Sequence, residues 1–410
     1  MSDSMKQNRT KLASCLKEVE VPPQNQLANW RWGVAQHLMP FFVPNPSFAK
    51  KTKVDGLKLN VIDGCWRWNS DWRRNRQELV LCSVGFSGKM SNNIGRDIVY
   101  YQVMDPSDNA LDPKPETLRY GATIIRGKKW ITFQRDMRIR LEKPLLISSF
   151  TAIDGRGPSV RIAGNACLVV FKASNIIIHG LRIHHCRSQA PSLVMGPDGK
   201  KMPLGQVDGD AVRLVTASKV WIDHNTHYDC EDGLLDVTCG STDITVSNNW
   251  FRDQDKVMLL GHDDGYFRDK NMRVTVVYNH FGPNCNQRMP RIRYGYAHVV
   301  NNLYREWSQY AIGGSMNPSV KSEANLFIAP KSRNNKEITW RKDSIGNKES
   351  WKFYSVGDIF ENGASFVKTC AGRAKPNNNG EQNFPVVNAK SVRSLTRSSG
   401  ALKCIKRSRC

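Results

Sequence analysis

Two clusters of opposite charge lie between Asp208 and Arg293. The acidic cluster holds Asp208 and Asp210 on either side of Gly209, and then Asp232 and Asp236, with 22 residues from Asp210 to Asp232. The basic cluster is Arg288-Met-Pro-Arg291-Ile-Arg293, with Lys256 upstream. Oxygen ligands without thiolate or imidazole suit Ca²⁺ better than a transition metal. Arginines grip carboxylates through paired N–H donors. Together the clusters point to a metal-assisted site acting on an acidic polymer. Two blander readings compete: aspartates as turn residues, and arginines as a solvated strand edge that resists aggregation.

The clusters must be brought together by the elements between them. Five segments share one pattern of alternating apolar residues followed by asparagine, at Asn225, Asn249, Asn279, Asn302 and Asn325, with spacings of 24, 30, 23 and 23. An earlier copy, Asn175-Ile-Ile-Ile-His-Gly180, lacks the terminal asparagine. A period in the low twenties is too short for paired helices and lacks the leucine spacing of a leucine-rich repeat. It predicts an all-β fold, a parallel β-helix whose coils stack because none can bury its apolar face alone. Asparagine tolerates the left-handed turn, and equivalent asparagines predict a ladder of amide hydrogen bonds. The 30-residue interval contains an insertion, Gly261 to Asp269, and residues 188–206 form a second. Alternate residues of a strand share a face, and adjacent strands lie roughly 4.8 Å apart. On this logic Asp208 pairs with Asp210 and Asp232 with Asp236, and the offset of about one coil stacks the four. Arg291 and Arg293 share a face. Pro290 breaks the alternation before them, and Lys256 falls about one and a half coils earlier.

Bulk properties agree. The chain has 410 residues, 40% hydrophobic, and a formal charge of +23. Such a field attracts polyanions, among which nucleic acid, anionic membrane and acidic polysaccharide are the choices. No apolar run reaches the roughly twenty residues that span a bilayer. No stacking or groove-reading module for nucleic acid is present, so neither membrane nor nucleic acid is expected as a partner. The organisation expected is a basic tail or cap over 1–55 with a helix near Arg9 to Val19, a β-helix over 56–370, and a basic tail over 371–410. That last stretch has nine Lys/Arg against one acid, Glu381. Among eleven cysteines, Cys65 with Cys82 and Cys404 with Cys410 are close enough in sequence to form disulfides. Cys167, Cys186 and Cys239 are left open between bridges and buried thiols. Met1 to Lys17 has no apolar export signal.

From Gly64 onward the chain resembles the plant-type pectate lyases. The resemblance rests on Ile153-Asp-Gly-Arg-Gly157, Trp221-Ile-Asp-His224, Asp232-Gly-Leu-Leu-Asp236, Gly240-Ser-Thr-Asp-Ile-Thr-Val-Ser-Asn-Asn249, Val257-Met-Leu-Leu-Gly261, Gln287-Arg-Met-Pro-Arg291 and Tyr310-Ala-Ile-Gly-Gly-Ser315. It implies a right-handed parallel β-helix and Ca²⁺-dependent β-elimination on de-esterified homogalacturonan (polygalacturonate). By motif, Asp208, Asp210, Asp232 and Asp236 match the metal region and Arg288 the catalytic base, its pKa expected to fall in a crowd of cations. Lys256 and Arg293 match substrate-binding residues, and Arg291 is grouped with them. The family implies a secreted, cell-wall protein, and a monomer is expected. Three departures stand out: Cys239 where arginine is usual, Tyr294 where histidine is common, and the missing export signal. A catalytically weak pectin-binding relative and a Ca²⁺-independent pectin lyase are the alternatives within the fold.

Overall fold

Runs such as Ser174-Asn-Ile-Ile-Ile-His179 and Arg273-Val-Thr-Val-Val277 are short, β-branched and too apolar to stand alone. Each lies beside its counterpart one coil away, in parallel register. The computed structural model describes residues 53–54, 57–332, 335–342, 352–369, 384–405 and 410. Among these, three parallel sheets of ten, nine and eight strands run the length of a β-helix. Within each sheet the strands follow strict chain order, so each coil contributes one strand to each sheet in turn. The expectation of a helix near Arg9 to Val19, and nearly all of the expected 1–55 segment, fall outside the described residues.

The interior is a continuous column of aliphatic side chains. Ile176, Val220, Ile244, Val274, Ala297, Val320 and Phe353 occupy one register position of the ten-stranded sheet and are all fully buried. A second interior column, Phe251, Phe281, Tyr304 and Phe327, stacks with ring centroids 5.2, 4.7 and 4.5 Å apart. Strand spacing sets that repeat.

The asparagine ladder forms. The Oδ1 atoms of Asn249, Asn279, Asn302 and Asn325 each accept the backbone N–H of the asparagine one coil earlier, at 2.8–2.9 Å. Each also accepts that asparagine's side-chain amide, at 3.0–3.2 Å. Leu181 N donates to Asn225 at one end, and Asp358 accepts from Asn325 at the other. Buried turn backbone is thereby satisfied without water.

The outer face of the ten-stranded sheet is also covered. Ile62, Trp66, Leu79 and Val80 meet Trp130, Ile177, Trp221 and Tyr278 there, joined by Phe384, Leu395 and Leu402. Disulfides close Cys65–Cys82, Cys167–Cys186 and Cys404–Cys410. Cys239 is disulfide-bonded too, whereas Cys230 and Cys285 are buried thiols.

Asp63, in the helix Val61–Trp66, pins this cover to the β-helix. It accepts from Arg67 at 2.9 Å and meets His224 Nε2 at 2.6 Å. Burial pushes its carboxyl up, but His224 and Arg67 outweigh burial and hold it at about 2. A depressed carboxylate stabilises the fold above its unfolded range, roughly pH 4, and that stabilisation is lost as the pH falls through about 2. Asp63→Asn is expected to cost about 2 kcal/mol at neutral pH, read as a lower urea midpoint. An unchanged midpoint would remove Asp63 as the clamp.

Candidate active site

The eight-stranded sheet carries both charge clusters. Reading across neighbouring strands, one register position holds Val169, Arg213, Asp236, Leu259, Arg291, Gly313 and Trp340 in succession. The column thus runs apolar, cation, anion, apolar, cation, glycine and aromatic, in steps of roughly 4.8 Å, with the Tyr310 ring lying against Gly313. Such an order can bind an extended anionic chain laid along the helix axis.

Asp236 lies in the strand Leu235–Thr238. Asp210 precedes the neighbouring strand Val212–Val215, where its Oδ1 accepts the Gly233 N–H at 2.8 Å. The one-coil offset thus brings the two aspartate groups together. The alternation expected for Asp208 and Asp210 does not hold, because that segment is irregular. Gly209 sits at φ +99°, and a Cβ there would come within 2.9 Å of Glu231 Cβ and Ser188 N. Asp232 likewise precedes its strand in a bend.

Gly233 opens a gap between the acids. A Cβ at this position would lie 2.8 Å from Asp210 Oδ1 and 2.9 Å from Asp236 Oδ1. Asp210 Oδ2 is buried without a hydrogen-bond partner. Burial raises Asp210 to about 6; Arg213 opposes the rise, while Asp232 and Asp208 add to it. Burial also raises Asp236 well above the carboxylate range, reinforced by Asp210 and Asp232 and opposed by Arg213 and Arg288. Burial and mutual repulsion thus outweigh the two nearby arginines at this pair. Among the described residues no three His, Cys, Asp or Glu side chains form a ready-made metal cage, and Asp232 Oδ1 is engaged by Lys256 Nζ at 2.6 Å. An orphaned oxygen, a Cβ-sized gap and two raised carboxyls nonetheless fit a hard divalent cation.

Lys256 lies level with Gln287 on the adjoining strand, beside Arg288. Its offset is one coil rather than one and a half, because the intervening residues include the Gly261 to Asp269 insertion. Arg288 turns the corner between the strands Cys285–Gln287 and Arg291–Arg293, with φ 63°. Its Nε is buried without a partner. Arg291 and Arg293 flank the buried Ile292 and share a face. Burial lowers Arg291 to about 10, aided by Arg293 and Arg288. Its guanidinium lies 5.2 Å from the Trp340 ring, which stacks on Tyr310 at 5.2 Å. Burial raises the Tyr310 hydroxyl, while the charges of Arg291 and Arg288 oppose the rise.

Arg293 lies on the outer face of its strand but is covered by the inserted loop. Its side chain is 14% exposed and meets Asp264 at 3.1 Å, and it donates to Gly261 O and His262 O. Asp264 also binds Lys342 at 2.7 Å and Ser315 at 3.0 Å, so the insertion is tied to three coils. Tyr294 donates its hydroxyl to Asp264 O. Sequence reasoning missed Arg213, Asp264 and Trp340. Arg213 was detectable as a lone cation within an apolar strand, 23 residues before Asp236. Asp264 lay inside the insertion already singled out. Trp340 had no such signal.

A family model described as pectate lyase matches residues 143–403. The chain is 46% identical over 347 residues to "Probable pectate lyase 9" of Arabidopsis thaliana, covering 84% of this chain and 76% of that protein. It is 45% identical over 349 residues to "Pectate lyase 1" of Hesperocyparis arizonica, covering 84% and 94%. The crystal structure of jun a 1, the major allergen from cedar pollen, superposes with a TM-score of 0.78 at 43% identity, over 84% of this chain and 99% of that one.

Proposed function

The chain belongs to the pectate lyase family, and from that premise we propose that it cleaves de-esterified homogalacturonan by Ca²⁺-dependent β-elimination. The products carry unsaturated 4-deoxy-galacturonosyl ends. The observation that carries this reading is the column from Arg213 to Trp340, with Arg288 beside it.

The polymer bears one carboxylate per sugar and lies along that column. Asp208, Asp210, Asp232 and Asp236 would hold the cation, Asp210 being a buried member of the group. Bound Ca²⁺ supplies positive charge at a uronate carboxylate, which makes the neighbouring C5 hydrogen more acidic. Arg288 accepts the C5 proton through its guanidine group. The C5–H electron pair becomes the C4–C5 double bond as the C4–O bond breaks; the departing oxygen takes up a proton from solvent, and Arg288 releases the C5 proton to solvent, so the proton count closes. No water is consumed. Arg291 neutralises charge building on the carboxylate. Lys256 is anchored on Asp232 and presents its remaining N–H donors to the sugar. Arg293 positions the inserted loop through Asp264. Trp340 offers a sugar-stacking face two strands beyond Arg291.

Arg291 gives a pH signature. It is charged below about 10, so turnover is expected to fall as the pH rises through that value. Arg291→Gln should lower turnover and remove this alkaline limb, as a pH–rate profile would show. An unchanged limb would mean that another group sets it.

The same reading places a monomeric enzyme in the cell wall, with polygalacturonate as its partner. The disulfides suit an oxidising compartment. Among the described residues no helix is long and apolar enough to cross a membrane. The direct test is polygalacturonate at alkaline pH, with ultraviolet absorbance of the unsaturated product followed with and without a chelator. The rise should occur and should stop on chelation. No rise for the wild type sinks the proposed activity, and a rise that survives chelation sinks its dependence on calcium.

A further inference from the structure

The nine-stranded sheet carries a second, unassigned basic track. Arg138, Arg161 and Arg182 occupy one register position on three adjacent strands, Met137–Ile139, Val160–Ala163 and Arg182–His184. Arg138 and Arg161 are exposed and Arg182 half-buried. Like charges directly opposed across strands destabilise a sheet. Among the described residues none of the three forms an ion pair. Arg182 is held instead by Ser159 Oγ at 3.3 Å and Ala401 O at 3.1 Å. The acid that reaches it, Asp136, already accepts the Ser159 N–H at 2.8 Å.

Where the ten- and nine-stranded sheets meet, just ahead of the strands that carry Arg138 and Arg161, lies a cavity of about 480 Å³ lined by Arg73, Arg76, Arg135, Asp136, Gln102 and Gln134 among others. Arg76 is committed to Asp154 at 2.7 Å. Arg73 and Arg135 form no ion pair among the described residues. Guanidinium groups and primary amides around a concave polar surface suit a carboxylate-bearing sugar: arginine takes the carboxylate, and the amides take hydroxyls.

We propose that this track and cavity bind polygalacturonate at a second site, on a sheet separate from the cleavage column, and hold the enzyme on the polymer between cuts. The identity of the ligand rests on the proposed function; the site itself rests on the arginines and the cavity. Binding is therefore measured apart from cleavage, using the full chain with Arg288→Ala. Adding Arg138→Gln with Arg161→Gln, both at exposed positions, is expected to weaken affinity for long polygalacturonate about fivefold, the factor for two exposed ion pairs. Arg138→Lys with Arg161→Lys should restore most of it. With Arg288 intact, the glutamine pair should leave turnover of trigalacturonate unchanged, because a trimer cannot occupy both faces. Undiminished affinity for the long polymer would overturn the proposal. So would an equal loss of binding to dextran sulfate, which marks a generic polyanion surface, or trimer turnover that falls in step with affinity.

Discussion

Arg288→Ala is expected to lower kcat on polygalacturonate by about 10³-fold, within the range seen when a positioned general base is removed. KM should change far less, because Arg291 and Lys256 remain to hold the carboxylates. The fold should survive: Arg288 already occupies φ 63° at a corner between strands, and its Nε makes no hydrogen bond that would be lost. A backbone donation from Met258 N to Arg288 O, at 2.6 Å, does not depend on the side chain. A merely structural role is distinguished by rescue. Free guanidinium, at concentrations far below denaturing ones, should restore part of the activity of Arg288→Ala and none of that of Asp210→Asn. Full activity in Arg288→Ala would remove this residue from the chemistry.

Asp210→Asn should have opposite effects on stability and activity. The side chain is buried, and its raised carboxyl means that the charged form costs the fold stability at neutral pH. Asparagine is isosteric and keeps an Oδ1 for the Gly233 N–H. The cation-free variant is therefore expected to be more stable than the wild type by about 3 kcal/mol. Added Ca²⁺ should raise the melting temperature of the wild type by linkage, and the variant should lose most of that rise. Cation affinity is expected to fall at least about 100-fold, at or beyond the upper end for disturbing a ligand's support, and turnover with it. A variant less stable than the wild type without calcium would mean that the acids are not held against their repulsion. An unchanged calcium-induced shift would mean that the cation binds elsewhere.

Much of this was legible before the structure. The asparagine spacing reported the coil, because a buried turn has one residue type that satisfies its own backbone and its neighbour's. The one-coil offset of the aspartates followed from the same period. Finer geometry was lost where chain direction changes. Gly209 reverses the alternation that would have put Asp208 and Asp210 on one strand face, and the insertion beginning at Gly261 stretched the apparent offset of Lys256. Arg293 carries its charge in the expected place but spends it on Asp264, because the loop that returns over it cannot be placed from spacing. Cys167 and Cys186 were undecidable in sequence, since their approach depends on which coils face each other.

The fate of solvent oxygen during cleavage tests the central claim most directly. Elimination breaks the C4–O bond without adding water, so polygalacturonate cut in heavy-oxygen water should give product ends free of label, each cut yielding one unsaturated uronate. Label at the new ends, without the matching double bond, would mean hydrolysis and would contradict a lyase built on Arg288 and the aspartate pair.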